Sequence, residues 1–305
     1  MSLLYHILFC ESPFEPNKVD PDFEDEYLAA KQNGMSVLLF NYDNFLNTER
    51  SDAATKKIKP LDNLQSIIYR GWMLRPSEYS TLYTALLAKD YRLINTPGEY
   101  RNCHYLPDSL KYISSHTPKT IFQKLESDSS IDLLIERSEI FGNEAVILKD
   151  YVKSEKHDWE TACFVKNASD KGNLKQTILN LISLRGKSLN EGIVIREFIK
   201  LNALTLHSKS GMPLTEEYRL FFFKNQLIGI YDYWDEGSYK PERPDVKAFE
   251  AVAKTVESQF FSMDIARKEN GEFVIIELGD GQVSGLPDTL NKVDFYTKLK
   301  QVLLS

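Results

Sequence analysis

The sequence predicts a mixed α/β protein in which the arrangement of strands changes part-way along the chain. From Leu3 to about Leu110, short apolar runs alternate with helical patterns, which is typical of a mostly parallel α/β sheet. After Thr117-Pro118 the strand-like segments alternate apolar and polar residues at period two, as antiparallel strands of an α+β fold do. With 305 residues, of which 42% are hydrophobic, the chain is long enough for more than one packed unit.

The first part, residues 1–118, contains four strand-like runs and at least two helical patterns. The helical pattern "DFEDEYLAAKQNG" has acidic residues first and Gly34 as its stop, and "PSEYSTLYTALLAKD" is entered through Pro76. A third helical pattern follows the loop that begins "TPGEYRNC". The strand-like runs are "LYHILF", "SVLLFNY", "SIIYRG" and "YRLIN". We therefore expect a mostly parallel sheet here, and a boundary near Pro118.

Composition and charge narrow the class of protein. A formal charge of −7 argues against an extensive nucleic-acid interface, which needs a surplus of Lys and Arg. Cys10, Cys103 and Cys163 are widely separated and match no metal or redox spacing, so they resemble ordinary thiols of a reducing compartment. The start "MSLLYHILFCESP" lacks a basic region, and its apolar run is too short to span a bilayer. We expect a cytoplasmic protein that does not bind membranes.

The segment "FSMDIARKENGEFVIIELGDGQVSG" predicts a hairpin that brings two acids together. If Asn270-Gly271 forms a two-residue turn, Asp264 and Glu277 lie directly opposite on one face, with Cβ atoms roughly 4.5–5.5 Å apart. Like charges so placed repel, and a magnesium ion held by one or two carboxylates and substrate phosphates would offset that repulsion. Asp280 follows between two glycines and is a third candidate ligand. The alternative is a surface hairpin with a solvated acidic pair.

A second hairpin, "EEYRLFFFKNQLIGIYDYWDEG", carries charged residues in an otherwise apolar strand. A turn at Asn225-Gln226 would place Arg219 opposite Asp232. Arg219 then either forms a plain cross-strand salt bridge with Asp232 or binds a phosphate through its planar fork. Glu217 precedes it on the same face and also needs a partner, since an unpaired buried charge is costly.

Two further segments carry candidate nucleotide contacts. The run "AVILKDYVKSEKHDW" ends an apolar strand on Lys149, a good point charge for a phosphate, although loop lysines are usually just solvated. The strand "EGIVIREFIKL" can offer an edge backbone to an adenine between apolar neighbours. Neither a G-x-x-x-x-G-K-[ST] loop nor a G-x-G-x-x-G turn after the first strand is present. The candidates from these two segments are Lys149, Lys153, Ser154, Lys156, His157, Arg196, Glu197 and Phe198.

Substrate recognition would fall to residues near the ends of the first strands. Arg70 ends a predicted strand, and ligands of open α/β sheets gather at the strands' carboxyl ends. Arg101 and His104 follow in "RNCHYLP". The alternative for both arginines is a structural role in which they cap backbone carbonyls.

Taken in order, these segments resemble the ATP-grasp superfamily. The segments that carry the resemblance are "KDYVKSEKHDW", "REFIKL", "EEYRLFFFKNQLIGI", "YRGWML", "RLINTPGEYRNCHYLP" and "ELGDGQVSGLP". They are similar to a phage and bacterial clade of ATP-grasp proteins, and also to the eukaryotic cell-cycle ATP-grasp protein that helps assemble a translation initiation factor. The resemblance implies an N-terminal α/β domain over residues 1–118 and an ATP-grasp fold of two α+β subdomains, residues 119–190 and 191–305.

The resemblance also implies roles for individual residues. Lys149 would contact the nucleotide phosphates, and residues 154–157 would form a flexible phosphate lid. Arg219 would hold the γ-phosphate and Glu217 would have a ribose or metal-linked role. The remaining implied residues are the adenine hinge Glu197, Phe198 and Ile199 and the magnesium ligands Asp264 and Glu277. One departure concerns the metal, because many ATP-grasp enzymes have Asn two residues after the second acid, where this chain has Gly279 followed by Asp280.

The function implied by the resemblance is ATP- and magnesium-dependent ligation of a carboxylate to an amine through an acylphosphate, with a peptide or small molecule as substrate. No nucleophilic side chain is needed for this reaction, and the sequence has no Ser-His-Asp pattern. One alternative is an ATP-binding assembly chaperone that clamps a protein partner without forming a bond. Another is ATP-dependent modification of a nucleic-acid end.

Overall fold

The computed structural model describes residues 5–48, 54–127, 129–209, 211–241 and 243–304. Its backbone contacts divide the chain into two compact units, each built from separate stretches of sequence. The first unit comprises Met1–Cys103, Tyr218–Asp264 and Gly279–Ser305, and the second comprises His104–Glu217 and Ile265–Leu278. The sequence predicted three consecutive segments, and that subdivision stays a prediction.

A four-stranded parallel sheet occupies the first unit, as the alternation of strands and helices predicted. Its strands are β1 (His6–Cys10), β2 (Ser36–Phe40), β3 (Gln65–Arg70) and β4 (Tyr91–Leu93), in the order β2-β1-β3-β4. The helices of this stretch are α1 (Glu24–Gln32), α2 (Tyr42–Thr48), α3 (Pro76–Leu87) and α4 (Pro97–His104).

Local sequence explains where two of these helices begin and end. Helix α1 has three acidic residues in its first turn, where they complement the helix dipole, and Gly34 follows its end with φ of 73°. Helix α3 begins at Pro76, and the Glu78 carboxylate accepts a 2.6 Å hydrogen bond from the Arg75 N–H. Both signals were readable from the sequence.

The later strands form a second four-stranded sheet with the order β12-β11-β13-β14. These strands are β11 (Glu217–Phe223), β12 (Gln226–Asp232), β13 (Phe260–Arg267) and β14 (Phe273–Asp280). Helix α8 (Lys247–Ala253) precedes β13, and α9 (Lys292–Leu304) follows β14.

One apolar core of the first unit draws on all three of its stretches. Ile7 and Phe9 of β1 belong to the same buried cluster as Phe221, Phe260 and Phe295. Phe221 packs edge-on against Phe295 with ring centroids 5.2 Å apart. Because large buried aromatic side chains dominate core energetics, this cluster makes the first unit depend on residues far apart in the sequence.

The second unit contains an antiparallel sheet with the order β5-β8-β6-β7. Its strands are β5 (Thr120–Lys124), β6 (Val146–Asp150), β7 (Phe164–Val165) and β8 (Gly192–Glu197). The short strands β9 (Ala203–Leu206) and β10 (Pro213–Thr215) form a separate pair. The helices are α5 (Leu106–Ile113), α6 (Ser129–Arg137) and α7 (Lys171–Arg185), and residues of α6 and α7 share a core with β6 and β8.

The turn at Asn270-Gly271 differs from the prediction. The Lys268 N–H donates to the Glu272 carbonyl at 2.8 Å, and the Gly271 N–H donates to the Lys268 carbonyl at 2.9 Å. Gly271 has φ of 89°, so the loop has three residues and ends on a left-handed glycine. The two-residue turn was therefore wrong, and the placement of Asp264 opposite Glu277, which was derived from it, stays a prediction.

The second hairpin also has a different register. Strands β11 and β12 turn at Lys224-Asn225, whose φ values of 47° and 60° are those of a type I′ turn. Arg219 lies opposite Tyr231, and Asp232 lies opposite Tyr218, with a register shift between Phe221 and Phe222. The predicted Arg219–Asp232 pairing was therefore wrong.

Two expectations from composition concern cysteines and membranes. Cys10, Cys103 and Cys163 are all buried free thiols. Burial raises the pKa of Cys10 to about 12 and that of Cys163 to about 11. In the described ranges of the chain, no helix has both the length and the apolar character needed to cross a membrane.

Candidate functional site

Lys149 and Glu277 form an ion pair in the second unit. The Lys149 ammonium lies 2.6 Å from a Glu277 carboxylate oxygen. Lys149 is the penultimate residue of β6, where an apolar strand delivers a charged side chain to the strand's end. Only 10% of the Lys149 side chain is exposed, compared with 33% of the Glu277 side chain. The residue predicted to contact phosphates therefore lies beside one predicted to bind a metal.

Several cations act on the Glu277 carboxylate. Burial opposes its ionisation, but Lys149, followed by Lys156 and Arg196, lowers the pKa of Glu277 to about 2. Three positive groups therefore surround one anion, which leaves a net positive field in this part of the second unit. Such a field suits a polyanion such as a triphosphate.

Arg196 is the buried member of this group. Its guanidinium donates to the Thr117 hydroxyl at 2.7 Å and to the Thr120 hydroxyl at 3.3 Å. Burial lowers the pKa of Arg196 to about 10, with Glu277 opposing the shift, so the side chain stays charged at neutral pH. Arg196 is held by hydroxyl groups and contributes charge to the site from below its surface.

The loop predicted to cover phosphates follows β6 directly. Lys153, Lys156 and His157 are exposed and Ser154 is half-buried. A short 3₁₀ turn covers Lys156–Asp158. This stretch is polar and surface-exposed, as the sequence predicted, and it presents two lysines to solvent.

The predicted adenine hinge lies beside a cluster of aromatic rings. Trp159 stacks on Phe164 with ring centroids 5.3 Å apart, and Phe198 meets Phe164 edge-on at 5.1 Å. The Phe198 N–H donates to the Ala145 carbonyl, whereas the N–H of Ile199 has no hydrogen-bond partner among the described residues. Sequence reasoning gave Trp159 and Phe164 no role. Their position around the polar loop, on either side of Cys163, was the available signal.

Arg219 and Asp264 form a bidentate pair in the first unit. The Arg219 Nε and Nη2 atoms each lie 2.8 Å from an oxygen of Asp264, and Nη1 donates to the Gly285 carbonyl at 2.9 Å. The guanidinium also lies over the Tyr233 ring, 4.7 Å from its centroid. Asp232, in contrast, contacts Arg243 at the surface. The structure thus places the predicted phosphate arginine on a predicted metal ligand.

Asp280 is a core residue of the first unit. Its side chain accepts hydrogen bonds from the Asn95 amide at 2.5 Å and from the Gln282 N–H at 2.9 Å, and none of its surface is exposed. Burial raises the pKa of Asp280 to about 7, although these hydrogen bonds oppose the shift. A carboxyl group enclosed in this way does not fit the predicted role of metal ligand, so we do not assign Asp280 to the metal.

Arg70 occupies a structural position rather than an open one. Its guanidinium pairs with the Glu26 carboxylate through two 2.8 Å hydrogen bonds and donates to the carbonyls of Gly281 and Ser284. Only 1% of Arg70 is exposed. This geometry matches the alternative of an arginine that caps carbonyls, and we do not assign Arg70 to a substrate.

The two other substrate candidates fall in different units. Arg101 is half-buried in α4 of the first unit. His104 belongs to the second unit, where burial, assisted by Lys153, lowers the pKa of His104 to about 4. The imidazole is therefore neutral at pH 7 and close to the cationic part of the second unit.

The donor set for a metal is limited to single carboxylates. In the part of the chain that the structure describes, no group of three or more His, Cys, Asp or Glu side chains is arranged to hold a metal ion. Glu217 is buried and accepts a hydrogen bond from the Thr215 hydroxyl. Asp264 and Glu277 are each paired with a cation, and Glu277 is ionised. These residues fit a magnesium ion that takes most of its ligands from phosphates and water.

Comparison with known proteins identifies the family. Residues 140–299 match a family model of the ATP-grasp domain, the third family of its clade, and this is more than half of the chain. The chain belongs to this ATP-grasp family. A search of curated proteins found no match.

Solved ATP-grasp structures share the fold over almost the whole chain. A RimK-domain ATP-grasp protein from Sphaerobacter thermophilus has a TM-score of 0.57 at 12% identity, covering 99% of this chain and 100% of its own. The D-alanine–D-alanine ligase of Bacillus anthracis, solved with ATP, has the same score and identity, covering 99% and 98%. The ATP-grasp ligase PsnB, solved with its precursor peptide and AMPPNP, has a TM-score of 0.56 at 11% identity, covering 98% and 96%. At these identities the likeness shows the ATP-grasp fold alone.

Proposed function

We propose that this ATP-grasp protein is a magnesium-dependent carboxylate–amine ligase. In the proposed reaction a substrate carboxylate takes the γ-phosphoryl group of ATP, and an amine then displaces phosphate from the acylphosphate. The observation that carries the proposal is the Lys149–Glu277 pair, set in a cationic field at the end of β6. A polyanion would be attracted there, and a lysine at a strand end is a suitable phosphate ligand.

The second unit would bind the nucleotide. Lys149 and the loop residues Lys153, Ser154, Lys156 and His157 would hold the phosphates, with Arg196 adding charge from beneath. Glu197, Phe198 and Ile199 would form the adenine hinge, where the Ile199 N–H is available as a donor to the base. Trp159 and Phe198 would pack against the ring, since aromatic faces favour stacking. Glu217 is a candidate for the ribose.

The first unit would act on the transferred group. Arg219 presents a planar fork that is now satisfied by Asp264, and the same fork matches a phosphate. Magnesium would be held by Asp264 and Glu277, and when bound it would neutralise phosphate charge. Such a site needs positioning and charge neutralisation rather than a nucleophilic side chain.

The substrate class is suggested by the structural neighbours. PsnB was solved with a precursor peptide, and the Bacillus anthracis enzyme is a D-alanine–D-alanine ligase. We propose that this chain likewise acts on a peptide or small molecule, with Arg101 and His104 as candidate contacts. Membrane binding and an extensive nucleic-acid interface are not part of the proposal.

Calorimetric titration with Mg·AMPPNP tests the nucleotide site. Lys149→Met should abolish binding, because it removes the central phosphate ligand, and Glu277→Gln should weaken binding at low magnesium. Lys175→Ala is the matched control, since Lys175 forms an exposed pair with Asp132 on the surface of the same unit. Wild-type affinity in Lys149→Met would overturn the assignment.

Nucleotide products separate the ligase from its rivals. A ligase should release ADP and phosphate from ATP only when a carboxylate and an amine acceptor are both supplied. Release of AMP and pyrophosphate would indicate an adenylating reaction, as in modification of a nucleic-acid end. Tight ATP binding without turnover across amino-acid and peptide panels would favour an assembly chaperone.

A further inference from the structure

Asp150 is a buried acid that the proposed chemistry does not use, yet it anchors the start of the loop after β6. None of its surface is exposed. One of its oxygens accepts the N–H groups of Val152 and Lys153, at 2.7 and 2.6 Å. The other accepts from the Arg185 Nε atom at 3.0 Å and from both the backbone and the side-chain amide of Asn190, at 3.2 and 3.0 Å. A buried carboxylate with five donors fixes the geometry of the chain around it.

Arg185 connects this anchor to the middle of the loop. It is the last residue of α7, and Gly186, with φ of 46°, ends the helix directly after it. Besides bonding Asp150, the guanidinium donates to the Glu155 carboxylate at 3.0 Å and to the Ser188 carbonyl at 3.0 Å. Its side chain is only 17% exposed. A planar fork can bind acceptors on three segments at once, and a lysine cannot.

The position of Glu155 gives this arrangement its meaning. Glu155 lies between Ser154 and Lys156, inside the loop that would cover the phosphates. Lys156 in turn acts on Glu277, as Lys149 does. Holding Glu155 therefore keeps the adjacent lysine within electrostatic reach of the Lys149–Glu277 pair, even without a nucleotide.

We infer that Asp150, Glu155 and Arg185 are positioning residues that preorganise the phosphate-covering loop. We call these three residues the Arg185 cluster. The inference rests on the proposed nucleotide site, but it concerns residues that need not touch the nucleotide. In this arrangement the rigid end of α7 holds the loop in place, so less ordering remains to be done when ATP binds.

Two variants separate positioning from stability. Glu155→Ala removes only the loop contact and leaves the buried Asp150–Arg185 pair intact, so the midpoint of thermal unfolding should stay unchanged. Arg185→Lys keeps a positive charge next to Asp150 but cannot bind Glu155 and Ser188 as well. Lys175→Ala, on the same helix but with its partner Asp132 at the surface, is the control.

Hydrogen exchange of the full-length protein without nucleotide tests the inference directly. Amides of residues 152–158 should exchange roughly tenfold faster in Glu155→Ala and Arg185→Lys than in the wild type, and at wild-type rates in Lys175→Ala. In a calorimetric titration, the Kd for Mg·AMPPNP should rise roughly tenfold in both variants. Exchange or affinity equal to the wild type in Glu155→Ala would overturn the inference.

Failure of the proposed function would look different. If the wild-type protein does not bind Mg·AMPPNP, the nucleotide site is wrong, while the exchange rates still decide whether the Arg185 cluster orders the loop. If the wild type binds and both variants bind equally well, the nucleotide site stands and the positioning role is wrong.

Discussion

The Lys149 ammonium and the Glu277 carboxylate lie 2.6 Å apart at the end of β6. The pair has a consequence for acid stability. Because the pKa of Glu277 is lowered to about 2 from 4.5, the unfolded chain takes up its proton first as the pH falls. The contribution of Glu277 to the free energy of unfolding is therefore complete above pH 4.5 and is lost between pH 4.5 and about 2.

Urea unfolding of the wild type and Glu277→Gln at pH 7, 4.5 and 2.5 checks this expectation. The shift corresponds to at most about 3 kcal/mol, and one-third exposure of the carboxylate reduces it to about 1–2 kcal/mol. Glu277→Gln should lose that much less stability between pH 4.5 and 2.5. Glu269→Gln, at the exposed turn of the same hairpin, should behave like the wild type. Identical acid dependence of the wild type and Glu277→Gln would contradict the pairing.

Arg219 and Arg243 each pair with an aspartate, but in different surroundings. Arg219→Met leaves Asp264 buried without its counter-charge and should lower the free energy of unfolding by about 3–5 kcal/mol. Arg243→Met breaks a surface pair and should cost less than about 1 kcal/mol. Guanidinium unfolding of both variants measures the difference. Equal costs would show that the Asp264 pair is no more buried than the surface pair.

Trp159 should report nucleotide binding through its fluorescence. The chain has three tryptophans, Trp72, Trp159 and Trp234, and only Trp159 lies beside the proposed hinge. Adding Mg·AMPPNP should change the emission of the wild type and of Trp72→Phe and Trp234→Phe. The change should be absent in Trp159→Phe. Its persistence there would place the adenine elsewhere.

Arg70 is expected to act on folding rather than on substrate. Arg70→Met leaves Glu26 buried and unpaired and should cost about 3–5 kcal/mol of unfolding free energy. The double variant Glu26→Gln/Arg70→Met should recover part of that loss, because it leaves no buried charge without a partner. Chemical denaturation of the three proteins tests the coupling. A substrate contact would instead leave stability unchanged and raise KM.

Sequence patterns located the strands and the charged positions well, because these depend on local periodicity. The end of β6 at Lys149-Asp150, the parallel order of the first sheet and the polar loop after β6 all followed from apolar runs and their boundaries. The family resemblance is confirmed by the match over residues 140–299. The phage origin and the relation to the eukaryotic assembly protein stay predictions.

Hairpin registers were harder to predict, because tertiary contacts choose the turn. Lys224 adopts a left-handed conformation that its side chain disfavours, and its N–H donates to the Gln259 carbonyl at 2.7 Å. That bond, formed with a residue 35 positions along the chain, helps shift the turn from Asn225-Gln226 to Lys224-Asn225. No pattern within the hairpin itself reveals it.

Buried polar partners were the other blind spot. The sequence presents Asp280 between two glycines near the acidic strand, which suggested a metal ligand. Its partner Asn95 lies 185 positions away, directly after β4 with one residue between them. Long-range pairs of this kind become visible only once the fold is known.

The Asn95 side chain links the two ends of the first unit, and this limits how the gene can be recombined. Its amide bonds the backbone of Gln259 and Phe260 as well as Asp280. Chimaeras joined at Pro118 would combine halves of this interior that evolved separately, even though the linear map shows a natural seam there. Crossovers at 103/104, 217/218, 264/265 and 278/279, made together, would instead exchange each unit whole.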